Sequence, residues 1–369
     1  MKITRLVATA AVAALVLAGC SSGESPDAGA QPGEVKKVSM TLVTASSVPS
    51  MSTELAVYAV PKSLGFFADE NLDVDMITAD GSTAAIQALA SGSADVSFPE
   101  GSAVIASAEK NIPVKSFAGI VRQWQWVMSV LPNSSVQTLG DLKGKKIGVI
   151  SLASGSYMYA KAAVKAAGLD PAKDVEYVPV GFGKPAAEAL NKGQVDAVAL
   201  YTTLYTELEA TGDKFRLLDN PALFKDLVGL TWAAKSDRIA DDPDMFARFA
   251  RAAYRGIIYT LANPEAAVKI GYETWPDLKP AKGNEAVKLK SDIDTIVTEV
   301  NSYVVDEKDR STWKDWGQVD TAALTALRDY AREGGLISSE LSIDKFWDGS
   351  VVGKLTGIDT AAVIKKAES

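Results

Sequence analysis

Apolar and polar positions follow two rhythms along this chain, and the rhythms take turns. Val38 to Thr44 (Val-Ser-Met-Thr-Leu-Val-Thr) reads as a strand running into a polar loop, Ala45-Ser46-Ser47. A helix is predicted from about Ser52, capped by Ser52 or Thr53 and breaking near Gly65-Phe66-Phe67. Leu72 to Ile77 alternates as a strand does. Asp80-Gly81-Ser82-Thr83 then caps a helix from Ala84 to Ala90 that stops at Gly92. Asp95 to Phe98 is a short buried strand, and Pro99-Glu100-Gly101-Ser102 opens the next helix. Strand and helix alternating in this way predict an α/β chain with a mostly parallel sheet.

The pattern restarts after about residue 132. Leu139 to Lys146 is a helical turn and a basic corner, and Ile147 to Ile150 is a strand. Ser154-Gly155-Ser156 caps a helix from Tyr157 to Ala167, stopped by Gly168, and Val175 to Pro179 and Val195 to Leu200 are strands. Ala88-Leu89-Ala90-Ser91-Gly92-Ser93-Ala94-Asp95-Val96 is echoed by Ala189-Leu190-Asn191-Lys192-Gly193-Gln194-Val195-Asp196-Ala197. Both read as helix end, glycine stop, aspartate, buried strand, which suggests two lobes of similar design. Between them, Val121 to Val130 alternates with period two, placing Trp124, Trp126 and Met128 on one strand face and Gln123 and Gln125 on the other. From Asp241 onward the chain is mainly helical. Helices are predicted from Asp242-Pro243 to Ala262, from Asn284 to Tyr303, and from Asp320 to Glu333, and they are expected to cover the first lobe's sheet.

The start of the chain has a different character. Lys2 and Arg5 precede an apolar run from Leu6 to Leu17, a signal-peptide pattern too short to span a bilayer. Leu17-Ala18-Gly19-Cys20 follows and resembles the bacterial lipobox, in which cleavage precedes a cysteine that carries lipid. Cys20 is the sole cysteine, so no intrachain disulfide can form. Residues 20–35 are rich in Ser, Gly and Pro and read as a flexible tether. The remaining length, about 335 residues, suits two lobes of ordinary size. Net charge is −8, and −10 once Lys2 and Arg5 leave with residues 1–19. Without a basic block the chain is a poor candidate for nucleic acid. The sequence contains no histidine, which removes Ser-His-Asp and Cys-His nucleophile systems and His-ligated zinc or iron. No metal or cofactor is expected, and catalysis is left only to carboxylates and lysines.

Several segments together resemble the receptors for nitrate, sulfonates, taurine and thiamine-pyrimidine precursors, the NMT1/THI5-like and SsuA-like solute-binding proteins. They are Gly65 to Val74, Ala88 to Asp95, Leu139 to Val149, Ala167 to Asp170 and Gly193 to Ala197. The resemblance implies a type II periplasmic-binding-protein clamp: two α/β lobes joined by two crossovers, with mostly parallel sheets and a helical C-terminal part. Lobe one would take 36–125 and 233–369, and lobe two 126–232. It further implies a monomeric, non-enzymatic receptor held outside the cytoplasm by lipid on Cys20, delivering a small polar organic ligand to an ABC permease and its ATPase. The alternatives are a ligand sensor without a permease, or an enzyme on the same fold with Glu100 and a nearby lysine as its acid–base pair. The pyrimidine-synthesis enzymes with this likeness use a histidine and a cysteine-rich motif, and this chain has neither.

In such sheets ligands lie beyond the carboxyl ends of strands, near helix N-termini. Ser46, Ser47, Ser82, Glu100, Ser102, Ser154, Gly155 and Ser156 are therefore candidate contacts, although their residue types are also what helix N-caps require. Trp124, Tyr201 and Trp232 are candidate cleft walls, and Trp126 reads as core. Glu100 would favour an amine, amidine or ring N–H, while Arg122 would grip a carboxylate or sulfonate. Both in one cleft would suit a zwitterion or a polar heteroaromatic.

Overall fold

The computed structural model describes residues 37–224, 227–303 and 315–369. The signal-peptide, lipobox and tether readings therefore fall outside the described residues. Among the described residues, ten strands form two sheets: β1 (Val38–Thr44), β2 (Leu72–Thr78), β3 (Val96–Ser97), β4 (Val114–Gly119), β5 (Trp126–Val130), β6 (Lys145–Val149), β7 (Val175–Pro179), β8 (Ala197–Tyr201), β9 (Arg216–Leu217) and β10 (Thr231–Lys235). The first sheet has the order β2-β1-β3-β10-β4 and the second β7-β6-β8-β5-β9. In each, one strand runs against the other four: β10 is antiparallel to β3 and β4, and β5 is antiparallel to β8 and β9. These two odd strands are the ones entered from the opposite lobe, so the mixed sheet is a direct consequence of the chain crossing over and back.

The repeated Gly-x-x-Asp motif has the same role in both sheets. Asp95 enters β3, and its carboxylate accepts the Thr41 N–H of β1 at 2.8 Å. Asp196 enters β8, and its carboxylate accepts the Lys146 N–H of β6 at 2.9 Å. In both cases the aspartate's own N–H returns to the same neighbour's carbonyl. An aspartate here satisfies the backbone where one strand starts later than the next, so the echo is structural in origin.

The long alternating segment expected from Val121 becomes a strand only at Trp126. The residues before it form the outgoing crossover and bond to the returning one: Ile120 N–H reaches the Leu230 carbonyl at 3.0 Å, and Gly229 N–H reaches the Val121 carbonyl at 3.0 Å. Arg122 and Gln123 donate backbone N–H groups to the Ser302 carbonyl. With its backbone committed to these partners, the stretch cannot join the ladder, and the two-residue periodicity loses its meaning there.

Helix Pro243–Ala262 lies on the first sheet and buries Phe246, Phe249, Ala253 and Ile257 against Phe117, Trp232 and Phe67. Helix Thr321–Glu333 departs from the expectation of covering one lobe. It packs on helix Gly101–Glu109 of the first lobe and helix Gly155–Ala166 of the second. The predicted first helix is a π-helical turn, Leu55–Ala59, followed by Val60–Ser63. Gly256 presses on it: a Cβ at Gly256 would stand 2.3 Å from the Ala56 carbonyl oxygen. Alanine normally stabilises a helix interior over glycine. Here a backbone atom occupies the space, so Gly256→Ala is expected to destabilise the protein by about 1–3 kcal/mol through overpacking, read from urea unfolding midpoints.

Candidate functional site

A cavity of about 700 Å³, its mouth included, opens between the lobes. The first lobe supplies Thr44 to Ser47 after β1, Ser52 to Glu54 at the next helix start, Asp80 to Ser82 after β2, and Phe98 and Glu100 after β3. The second supplies Gln125 and Trp126 at the start of β5, Ile150, Ser154 and Gly155 after β6, Phe182 after β7 and Tyr201 at the end of β8. Leu230 of the returning crossover and Glu299 of helix Glu285–Asn301 complete it. Most contributors lie at the carboxyl end of a parallel strand, where a doubly wound sheet leaves loops free to converge.

Three buried carboxylates dominate the chemistry. Glu54 accepts hydrogen bonds from Thr44 Oγ1 at 2.5 Å, Ser50 Oγ at 2.8 Å and Ser52 Oγ at 3.4 Å. Glu299 accepts from Thr53 Oγ1 at 2.5 Å, Tyr303 OH at 3.0 Å and, from the second lobe, Thr203 Oγ1 at 3.1 Å. Burial raises the pKa of both carboxyls, and these hydroxyl donors oppose the shift. Glu100 caps helix Gly101–Glu109, its Oε2 accepting the Ser102 N–H at 2.9 Å and the Ser102 hydroxyl. Burial pushes its carboxyl up to about 7 despite those bonds. Its Oε1 has no protein partner, and neither does Trp126 Nε1. A buried polar atom left unpaired costs about 1–3 kcal/mol, more when charged.

The lobes meet around this corner. A Cβ at Gly155 would lie 2.9 Å from the Trp126 ring and 3.2 Å from Glu100 Cγ, so only glycine admits that approach. Thr83 N–H donates across the lobes to the Ala153 carbonyl at 3.2 Å. Trp126 is stacked on Tyr159 (6.4 Å between centroids) and edge-on to Tyr201 (5.6 Å), which fixes its ring.

Of the residues singled out from sequence, Ser46, Ser47, Ser82, Glu100, Ser154, Gly155 and Tyr201 line the cavity. Five do not. Ser102 serves Glu100. Ser156 is buried, donating to the Ala199 carbonyl and accepting from Ile150 N–H. Trp232 is buried in the first lobe's core, edge-on to Phe98 and Phe249. Arg122 lies beside Tyr254, Asp315 and Asp320, away from the cavity lining. Trp124 packs on Tyr159, Phe224 and Tyr330, while Trp126 takes the wall position; the expected roles of the two tryptophans are exchanged. That exchange follows from the crossover geometry, since Trp124 precedes the strand.

Glu54 and Glu299 line the cavity without being among the residues expected from sequence. Glu299 had a readable signal: Asp292, Thr295, Ile296, Glu299 and Val300 fall on one buried helix stripe, so acids interrupt an otherwise apolar face. Glu54 looked like part of a Ser/Thr-rich cap.

Residues 52–267 match the family described as NMT1/THI5 like, and the chain belongs to it. A riboflavin-binding protein of Chloroflexus aurantiacus is 24% identical over 271 residues, 71% of this chain and 76% of that one. A formylaminopyrimidine-binding protein of Halalkalibacterium halodurans is 28% identical over 210 residues, 56% of this chain and 62% of the relative. A 4-amino-5-hydroxymethyl-2-methylpyrimidine phosphate synthase of Aspergillus parasiticus is 24% identical over 60% of this chain and 66% of its own length, so relatives include an enzyme as well as binding proteins. Among solved structures, the alkanesulfonate-binding protein of Xanthomonas axonopodis pv. citri, bound to MOPS, superposes with a TM-score of 0.63 at 13% identity, covering 85% of this chain and 99% of that one. Its fold is the periplasmic-binding-protein fold, and this chain shares it.

The raised carboxyls make stability depend on pH in a definite direction. Between 4.5, the ordinary glutamate value, and about 7, Glu100 holds its proton in the folded protein and releases it in the unfolded chain. The folded state then binds more protons, so stability falls as pH rises through that window. Glu54 and Glu299 shift in the same direction. Ligand-free protein is expected to melt lower at pH 8 than at pH 5.5, and Glu100→Gln to flatten the slope. A profile unchanged by Glu100→Gln would show that Glu100 titrates normally.

Proposed function

We propose that this chain is an exported solute receptor that captures a small organic ligand carrying a flat ring between its lobes and hands it to an ABC importer. The observation that carries this reading is the cavity wall: Phe98 from one lobe and Trp126, Phe182 and Tyr201 from the other surround a space of ligand size. Rings of this kind hold an aromatic solute at little entropic cost. The paired crossovers, joined by the Ile120–Leu230 and Val121–Gly229 bonds, give a short two-stranded hinge about which the lobes can open. We place the lobe boundaries there, at 119–125 and 227–230. The names of the riboflavin-binding and formylaminopyrimidine-binding relatives support a ring-bearing cargo. A thermal-shift screen of aromatic and heteroaromatic solutes tests the reading. A ligand at about 100 times its Kd is expected to add about 2.7 kcal/mol of stability. Failure of every ring-bearing solute to stabilise the protein would remove it.

The anchor is proposed from sequence, on Leu17-Ala18-Gly19-Cys20 and the polar stretch after it. In cells fed a labelled fatty acid, the wild-type chain is expected to carry label and sediment with membranes. Cys20→Ala is expected to lose both, and a labelled Cys20→Ala protein would contradict the anchor.

A second reading, an enzyme on this fold, draws on Glu100, whose carboxyl near 7 suits proton transfer, and on the synthase relatives. The lysine it would need as a partner is missing from the described cavity lining. Recovery of a bound ligand chemically unchanged after prolonged incubation favours the receptor.

A further inference from the structure

Helix Thr202–Ala210 of the second lobe lies against helix Glu285–Asn301 of the first. Each is committed by its apolar side chains to its own lobe. Leu204, Tyr205 and Leu208 join the core packed on the second sheet, while Ile296 and Val300 join the core of the first. What the two helices share is polar. Thr203 Oγ1 donates to Glu299 Oε2 at 3.1 Å across the lobes. One turn after Thr203, the Glu207 carboxyl comes within electrostatic reach of Lys288, Asp292, Glu299 and Glu54. The seam begins at the outgoing crossover. Thr202 N–H donates to the Gln125 carbonyl at 2.9 Å, and the Ser302 carbonyl, just past the other helix, accepts the Arg122 and Gln123 N–H groups. The Thr203–Glu299 end is therefore tied to the crossover, and the Glu207–Lys288 end lies further from it.

Four carboxyls crowd this seam, and one lysine is set against them. That lysine is already held, since Lys288 Nζ donates to both Asp292 oxygens at 2.5 and 2.7 Å. Tyr272 OH donates to the same carboxylate at 2.6 Å. Glu299 has its three hydroxyl donors. Glu207 is half-buried, and burial pushes its carboxyl up to about 7. Lys288 opposes that shift, while Asp292, Glu299 and Glu54 reinforce it. Tyr201, at the start of the same helix, also feels Glu207, Glu54 and Glu299; burial first, then these acids, hold its hydroxyl neutral.

We propose that this seam is a proton-operated latch between the lobes: the helices stay docked while Glu207 is protonated, and they part at the end away from the crossover when Glu207 ionises beside Asp292, Glu299 and Glu54. The latch rests on the lobe opening proposed above and is independent of which solute fills the cavity. Once the helices part, Glu207 returns to water and to the ordinary glutamate value of 4.5. Between 4.5 and about 7 the docked seam thus holds a proton that the parted seam releases. Docking is favoured fully below that window and loses the advantage as pH rises through it. Closure of the lobes takes up a proton, so alkaline surroundings loosen the receptor's hold on its cargo.

Spin labels across the seam test this in the ligand-free chain. Ala210→Cys and Val287→Cys place them on exposed, uncharged positions, and Cys20→Ala leaves no other thiol. The share of molecules with the longer distance is expected to grow severalfold between about pH 5.5 and 8.5. Glu207→Gln and Glu207→Met, neutral at every pH, are expected to keep the short distance throughout, and either one suffices if the other fails to fold. Glu209→Gln, which removes an exposed acid of the same helix, is expected to respond as wild type does. A distance that lengthens equally in the Glu207 variants would overturn the latch and leave moving lobes, and the receptor reading, in place. A wild-type distance unchanged by pH would also overturn the latch, while the solute screen decides the receptor reading separately.

Discussion

A carboxylate taken out of water must be given donors, and this protein takes three of them to the same place. Glu54, Glu100 and Glu299 surround one cavity, and the groups that bond to each are hydroxyls and amides instead of cations. Hydroxyls stabilise the charge without cancelling it, which is why burial still raises all three carboxyls. Much of the surrounding sequence follows from that constraint. The Ser50-to-Thr53 cluster, Thr44 at the end of β1, Ser102 at a helix start and Thr203 across the cleft are all donors to these acids. The first lobe's loops are rich in Ser and Thr because they have carboxylates to serve.

The fold delivers those groups by repetition. Each sheet has four strands running one way and one opposed strand borrowed through a crossover. The aspartates at 95 and 196 hold the two sheets to the same plan. The two crossovers lie side by side, joined by the Ile120–Leu230 and Val121–Gly229 backbone bonds. The Thr203–Glu299 bond, next to the crossovers, and the Thr83–Ala153 bond also join the lobes. In the proposed receptor, polar bonds of this kind would be exchanged as the lobes open and close. Helix Thr321–Glu333 touches helices of both lobes.

The strands and helix starts were legible in the sequence wherever local rules governed them. β1, β7 and the helix ending at Ala262 lie where periodicity and capping put them. The glycine stops at Gly92 and Gly168 both carry positive φ, as a left-handed terminus demands. What failed was non-local. Trp124 and Trp126 have the same spacing in any extended chain, and only the bonds from the crossover to Leu230 and Ser302 decide that the strand begins at Trp126. Arg122 is legible only by its chemistry, and the acids whose charge acts on it, Asp315 and Asp320, lie about 190 residues later in the chain. Glu299 shows the opposite case, a local signal overlooked: an acid on a buried stripe needs a buried partner or a ligand.

That the cavity between the lobes receives a ring-bearing solute is tested most directly by a crystal structure of the protein with its tightest-binding solute. The expected result is a ring seated among Phe98, Trp126, Phe182 and Tyr201. A solute bound outside this cavity would contradict it.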